Sequence, residues 1–398
     1  MRQTVRANKA ECTGCGACAS ICPRKAITMQ PDEEGFLYPV VNGDLCVECD
    51  LCEKRCPAGK VLAENKLHAY GVQHKDEEIR RQSSSGGVFT ALARGMFARG
   101  GVVFGAAFDE SLRVEHIGAF DETELAAMRG SKYVQSDAAD AVAHAASLLE
   151  RGIPVLFSGT PCQIAGLKAR VGKKYDELLL TVDFVCHGVP SPGVFASYLR
   201  ELEKNNGKRV VAYAFRDKRL GWKNFSAVAT FEDGTEHVGQ QTTEPFLYGF
   251  LQNLYLRPSC TQCTALRGGH HVSDITMADL WGAERICPDR DDDSGLSLAF
   301  VNTPRGRKVL EAAGTQLVSF PVSDVEQLLR VNPSIEHTAK AHEKRKVFFA
   351  SFAQKGFESE MVMKLLAGPS RLERIARRIA HLPKGLARRI GVLLGRGK

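Results

Sequence analysis

Two cysteine runs at the start of the chain restrict its fold and chemistry more than any other feature. Cys12, Cys15, Cys18 and Cys22 stand as C-x-x-C-x-x-C-x-x-x-C-P, and Cys46, Cys49, Cys52 and Cys56 repeat the pattern up to Pro57. Cysteines at steps of three wrap a tight loop around one inorganic cubane, with Gly14 and Gly16 letting the backbone approach closely. The fourth cysteine of each run reaches across to the other cubane. Cys12, Cys15, Cys18 and Cys56 are therefore expected to ligate one 4Fe–4S cluster, and Cys46, Cys49, Cys52 and Cys22 a second. Zinc sites prefer paired C-x-x-C knuckles and gain nothing from a further cysteine at the same step. The rest of the chain must then take or give single electrons.

At 398 residues the chain can hold two or three domains with a sizeable core. It has no apolar run long enough for a transmembrane helix. Residues 1–12 carry charge but no apolar stretch, so no secretory signal is expected. Eight of the thirteen cysteines are committed to clusters that need reduced thiolates, which implies a cytoplasmic location. The net charge of +7 is concentrated at one end, since residues 369–398 hold nine Lys/Arg and one Glu. The body is close to neutral, so no nucleic-acid partner is expected.

The fold class expected is α+β. A bacterial-type two-cluster ferredoxin domain (1–62) precedes a mixed α/β body and a helical, basic C-terminal tail. Short strands are expected at Ala26–Met29 and Phe36–Val41, with a turn at Asp32–Gly35. A linker, Ala58–Lys66, leads to a strand at His68–Val72. Gln82-Ser83-Ser84-Ser85-Gly86-Gly87 then precedes a helix, Val88–Ala98, and a strand, Val102–Phe108. Free N–H groups and hydroxyls at a helix start suit a phosphate, though a plain serine cap reads equally well. In Gly130–Ser136 (G-S-K-Y-V-Q-S), Lys132 and Tyr133 would pin an anionic cofactor, or the stretch is an exposed loop.

From residue 151 the pattern is α/β. Strands at Pro154–Phe157 and Leu178–Val185, expected to be parallel, run into Ser158-Gly159-Thr160-Pro161-Cys162-Gln163 and Cys186-His187-Gly188-Val189-Pro190. Binding sites of α/β sheets collect at such strand ends. Helices follow at Ile164–Val171 and Pro192–Lys204. Further strands are expected at Val210–Phe215, Ala227–Phe231, within Ser273–Gly282, and last at Leu296–Val301, with helices at Pro245–Leu256 and Pro304–Ala313. Residues 315–368 read as helical and irregular. Cys162, Cys186, Cys260 and Cys263 together would hold a third 4Fe–4S cluster. A zinc site made of the same four thiolates and a set of unligated thiols are the alternatives, and Cys287 is a spare ligand. His187, His270 and His271 are candidate proton donors or simply structural histidines.

These stretches together resemble the family of coenzyme F420 hydrogenase/dehydrogenase beta subunits over roughly residues 67–310. The resemblance rests on S-S-S-G-G-V-F-T-A-L (83–92), G-S-K-Y-V-Q-S (130–136), S-G-T-P-C-Q (158–163) and C-H-G-V-P-S (186–191). It continues through F-R-D-K (215–218), C-x-x-C (260–263) and D-I-T-M-A-D-L-W-G (274–282), where Ala278 replaces an expected glycine. It implies FAD as a cofactor. Ser84, Ser85, Gly86, Gly87, Ser131, Lys132, Tyr133, Gln135, Gly159 and Thr160 would face the flavin. Cys162, Cys186, Cys260 and Cys263 would ligate a proximal cluster; His187 stands as the candidate catalytic residue from its own position after a strand. The flavin-binding part would span 67–150, the part with the third cluster 151–313, and a helical extension 314–398.

The resemblance implies a flavin-dependent iron–sulfur oxidoreductase that converts single electrons into pairs. The reading placed first is a stand-alone bacterial enzyme of polysaccharide biosynthesis. It would take electrons from a ferredoxin or flavodoxin and act on a small-molecule or lipid-linked substrate, with a homodimer allowed. One alternative is an electron-transfer beta subunit of a hydrogenase or formate dehydrogenase that reacts with coenzyme F420. The other is a ferredoxin-dependent chlorophyll(ide) reductase. The polysaccharide reading leans on the tail, where Leu372, Ile375 and Ile379 share a helical face among arginines. Such a helix suits peripheral contact with the inner face of a membrane.

Overall fold

The computed structural model describes residues 8–58, 68–264 and 271–367. The linker at 59–66, His270 and the basic tail lie outside the described residues.

The N-terminal cysteine runs are carried on a hairpin. Strands β1 (Ile27–Pro31) and β2 (Leu37–Val41) pair antiparallel, with Ile27 opposite Val41. Asp32 fixes the turn by accepting hydrogen bonds from Glu34 N and Phe36 N at 3.1 and 2.9 Å. The hairpin tip is docked on the body. Phe36 is fully buried among body residues. Gly35 has φ +80°, and a Cβ there would lie 2.6 Å from Gly193 Cα, so both the conformation and the close approach require glycine. Arg345 Nη1 donates to Glu34 Oε1 at 2.9 Å and ties the helix Arg345–Lys355 to the same turn.

The body is built on strands β3 (Ala69–His74), β4 (Val102–Phe108), β5 (Val114–Ala119), β6 (Val155–Ser158), β7 (Leu179–Phe184), β11 (Ile275–Asp279), β12 (Ser297–Val301) and β13 (Leu317–Pro321). They form one eight-stranded sheet in the order β13–β3–β12–β11–β7–β6–β4–β5. The central strands β4, β6, β7 and β11 are parallel, and antiparallel strands close both edges. Their near-continuous apolar sequences follow from cover on both faces. Leu156 packs with the helix Val88–Phe97 on one face, while Val155 and Phe157 pack with helices Ala139–Glu150 and Pro161–Val171 on the other. Strands β8 (Val210–Asp217), β9 (Ser226–Phe231) and β10 (Glu236–Gln240) make a separate antiparallel sheet. An aromatic core including Phe195, Tyr198, Tyr213, Phe215 and Phe246 joins it to the helices Pro192–Asn206 and Pro245–Leu251.

Several expectations need correction. Leu296–Val301 is not the last strand, because β13 lies in the stretch read as helical and irregular. It is an edge strand with only Leu317 buried and Pro321 at its end, so no clean alternation marks it. Strand β5 and a short helix, Glu77–Gln82, were not expected. The helix begun at Pro245 ends at Leu251, not Leu256. Cys162 lies in the first turn of the helix Pro161–Val171 rather than in the loop before it.

Candidate functional site

Strands β6, β7 and β11 end together, and a cavity of about 690 Å³ opens at their carboxyl ends. Its wall brings together the Ser/Gly loop, the G-S-K-Y loop, Gly159 and Thr160 after β6, and Cys186 and His187 after β7. The volume suits an organic cofactor.

The two polar loops are stitched to each other. Ser84 Oγ accepts hydrogen bonds from Ser131 N and Ser131 Oγ at 2.6 and 2.8 Å. Lys218 Nζ donates to the carbonyls of Arg80, Ser85 and Ser294 and clamps the serine loop from behind. Gly87, at φ +85°, starts the helix Val88–Phe97 with no side-chain cap, so its first N–H groups remain available beside the cavity. Ser85 Oγ and the Nε and Nη2 of Arg216 are buried without a hydrogen-bond partner in the structure. The third guanidinium nitrogen of Arg216, Nη1, donates to Asp279 Oδ2 at 2.5 Å, and the ring of Phe225 lies 4.5 Å from the guanidinium carbon. Buried donors without acceptors are costly unless a ligand satisfies them. A phosphate-bearing cofactor fits these donors.

Lys132 donates to the carbonyls of Ala127 and Arg129, both at 2.8 Å. Burial pushes its pKa down to about 7, and an approaching anion would push it back up. Tyr133 packs against Phe215 and Phe250. His187 stands edge-on to Phe250 at 5.1 Å, and its Nε2 is buried and unpartnered. Burial also lowers the His187 pKa.

Two expected cofactor residues serve other contacts. Gly86 is not part of the cavity wall. Its N–H donates to Ser297 Oγ at 2.8 Å, and a Cβ would lie 2.4 Å from Val72 O, so the glycine lets the loop cross the sheet. Gln135 borders the cavity, but its amide is committed to Thr13 O at 2.9 Å and to Arg257 Nη1 at 2.8 Å.

Sequence reasoning did not single out Arg216, Asp279, Trp281 or His116 as site residues. Arg216 lay within the quoted F-R-D-K stretch, and Asp279 and Trp281 within D-I-T-M-A-D-L-W-G; this was the only signal. Trp281 stacks on Trp222 at 4.9 Å, and Trp222 Nε1 donates to Asp279 Oδ1 at 3.1 Å. His116 is held by Ser136 Oγ and Ser158 O, both at 2.9 Å. Gln163 Nε2 donates to Ser136 Oγ, which leaves the hydroxyl proton for His116 Nδ1. The ring is therefore neutral with its proton on Nε2, and burial holds its pKa down at about 4.

The thiols lie near one another in groups. Cys12, Cys15 and Cys56 act electrostatically on Cys18, and Cys22 acts on Cys52. Cys22, Cys46, Cys49 and Cys52 line one small gap of about 40 Å³. Cys162, Cys260 and Cys263 act on Cys186. Burial first, and neighbouring thiols second, push Cys162 up to about 11 and Cys260 up to about 12. A bound iron–sulfur core would relieve that penalty. Among the described residues, no three His, Cys, Asp or Glu side chains meet as closely as a single ion demands. The inner donor set is all thiol, which suits an iron–sulfur cluster or a zinc ion. Cys287 stays apart, with Asp291 and Arg290 as its charged neighbours.

Three family models match. Two describe the beta subunit of coenzyme F420 hydrogenase/dehydrogenase: the model of its C-terminal part covers residues 154–320 and that of its N-terminal part residues 69–143. The third, described as a "4Fe-4S dicluster domain", covers residues 11–60. The chain is 23% identical over 188 residues to a subunit of the F(420)H(2) dehydrogenase of Methanosarcina mazei, covering 44% of this chain and 53% of the relative. It thus spans about half the length of that relative. It is 37% identical over 68 residues to an iron–sulfur subunit of the CoB--CoM heterodisulfide reductase of Methanocaldococcus jannaschii, covering 14% of this chain and 10% of the relative. A chain of the F420-reducing NiFe hydrogenase complex from Methanosarcina barkeri, solved as a xenon derivative, aligns over 72% of this chain and 92% of its own. Its TM-score is 0.48 and its identity 17%.

Proposed function

The chain belongs to the family of coenzyme F420 hydrogenase/dehydrogenase beta subunits, whose two models together cover more than half its length, and from that premise we propose an iron–sulfur electron-transfer oxidoreductase that exchanges electrons with a deazaflavin-type coenzyme through FAD. The likeness to a subunit of the F(420)H(2) dehydrogenase favours this reading over the polysaccharide one that the sequence placed first. A larger catalytic partner protein fits the same reading.

One observation carries the proposal: Cys186 belongs both to the inner thiol set and to the cavity wall, beside His187. A cofactor in the cavity would therefore lie against the inner cluster. Cys12, Cys15, Cys18 and Cys56 would hold one cubane, Cys46, Cys49, Cys52 and Cys22 the second, and Cys162, Cys186, Cys260 and Cys263 the third. The clusters supply one-electron transfer, and a bound flavin supplies the exchange between one and two electrons.

The chain's own residues do the rest. Ser85, the uncapped start of the helix Val88–Phe97, and Arg216 bind the anionic part of the cofactor. Lys218 and the Ser84–Ser131 pair hold the binding loops in place. Phe250 and Tyr133 exclude water from the inner wall. His187 Nε2 is placed to hold or release a proton at the cavity face. The test is anaerobic reconstitution with iron, sulfide and FAD, followed by assay with reduced F420 as electron donor and an oxidised viologen dye as acceptor. Bound flavin with F420-dependent dye reduction supports the reading, and flavin-free protein inert toward F420 would overturn it.

A further inference from the structure

Arg257 is fully buried, yet among the described residues no carboxylate pairs with it. Its guanidinium is fastened by neutral groups. Nε donates to Cys12 O at 2.8 Å, Nη1 to Gln135 Oε1 at 2.8 Å, and Nη2 to Leu37 O at 3.0 Å. Nη2 also points at Cys12 Sγ, 3.7 Å away. The face of the group lies 4.2 Å from the Tyr38 ring centre and 5.5 Å from that of Phe36. Room is made for it by Gly14, where a Cβ would lie 2.8 Å from Nη1. On its other side, Cys260 N donates to the Arg257 carbonyl at 3.0 Å. The positive charge is felt at Cys162 and Cys260.

A guanidinium stays protonated under all ordinary conditions, and burying it without a counter-charge is strongly unfavourable. The anions that could compensate it are the two thiolate-ligated clusters on either side, each carrying net negative charge. Reducing a cluster adds a further negative charge, and a fixed cation nearby favours that state.

We propose that Arg257 is a positioning residue that joins the Cys12 and Cys162 sets and raises the reduction potentials of the clusters they hold. It thereby lets charge pass from the ferredoxin domain into the body. This rests on the reading of both cysteine sets as cluster ligands.

The test is an EPR-monitored potentiometric titration of the full chain, reconstituted anaerobically with iron and sulfide, as wild type and as the variants Arg257→Met, Arg257→Lys and Gln135→Glu. Arg257→Met shifts the oxidised-to-reduced ratio of the flanking clusters at least tenfold toward oxidised at fixed potential, a fall of about 59 mV for a one-electron couple. Arg257→Lys keeps the charge and retains most of the potential. Gln135→Glu sets a carboxylate against the guanidinium and lowers the potential without removing the arginine. The Cys46 set moves least. Unchanged potentials in Arg257→Met at full iron content overturn the proposal. If that variant loses iron, unchanged potentials in Gln135→Glu overturn it instead. Wild-type protein with no iron–sulfur absorbance would overturn the cluster reading itself, a distinct outcome.

Discussion

The outermost and innermost thiol sets have the same donor chemistry in opposite surroundings. Around Cys22, Cys46, Cys49 and Cys52, Cys49 is exposed, and Leu45 and Val47 present apolar surface to solvent at 42% and 59% exposure. In the inner set, burial and crowding drive the pKa values of Cys162, Cys186 and Cys260 up, and Cys186 faces the cavity. The difference teaches that ligand type fixes what a site binds, whereas solvent access fixes what it exchanges electrons with. On the function proposed above, the outer set would face a protein partner and the inner set a bound organic cofactor. Cys15, of the Cys12 set, crowds the helix bearing Cys162: a Cβ on Gly166 would lie 2.9 Å from its sulfur.

The sharpest way to break this comparison is to delete one site at a time. Cys186→Ala removes the inner cluster, about four irons per chain, and lowers F420-dependent turnover at least about 100-fold, while the ferredoxin clusters still take up electrons. Cys49→Ala removes a similar amount of iron but slows only reduction by a protein donor. Iron analysis with separate dye and protein-donor assays distinguishes the two. Equal losses in both assays would erase the distinction.

The next effect concerns the cavity. Arg216→Met removes the unpartnered donors and weakens FAD binding by about 10- to 100-fold, the range of hydrogen bonds to a charged group. Ser85→Ala weakens it by about tenfold or less. Fluorescence titration with FAD measures both.

Smaller still is the effect of pH. A bound phosphate favours protonated Lys132, so FAD affinity falls by about tenfold as pH rises through about 7. Lys132→Met flattens this dependence. The same burial affects stability. Below about 7 the folded chain carries a buried ammonium, and between about 7 and 10.5 only the unfolded chain keeps that proton. The unfolded state binds more protons in this window, so the Lys132 contribution makes stability rise with pH there. Denaturant midpoints of wild type and Lys132→Met across the window check the sign.

The outer and inner regions also differ in how readily the sequence reveals them. Eight N-terminal cysteines at fixed local steps identify two clusters without reference to the rest of the chain. The inner set draws on three segments between Cys162 and Cys263, and only the resemblance united it with the cavity loops. The parallel strands β6 and β7 were legible because cover on both faces demands unbroken apolar runs. Gly86 lies off the cavity wall, and Gln135 on it is tied to Thr13 and Arg257, because membership of a loop does not say which way a residue faces or what it bonds. Arg216, Asp279 and His116 were missed because each gains its role from partners on other strands or loops. Strand β13 carries too little burial to mark itself.

The most direct test of the whole account is a stepwise anaerobic dithionite titration of the chain loaded with iron, sulfide and FAD, read by EPR and visible absorbance. The account predicts about twelve irons per chain, three cubane signals and a stoichiometric yellow chromophore that bleaches on reduction. A chain that binds zinc, shows no cubane signal and holds no flavin would contradict it.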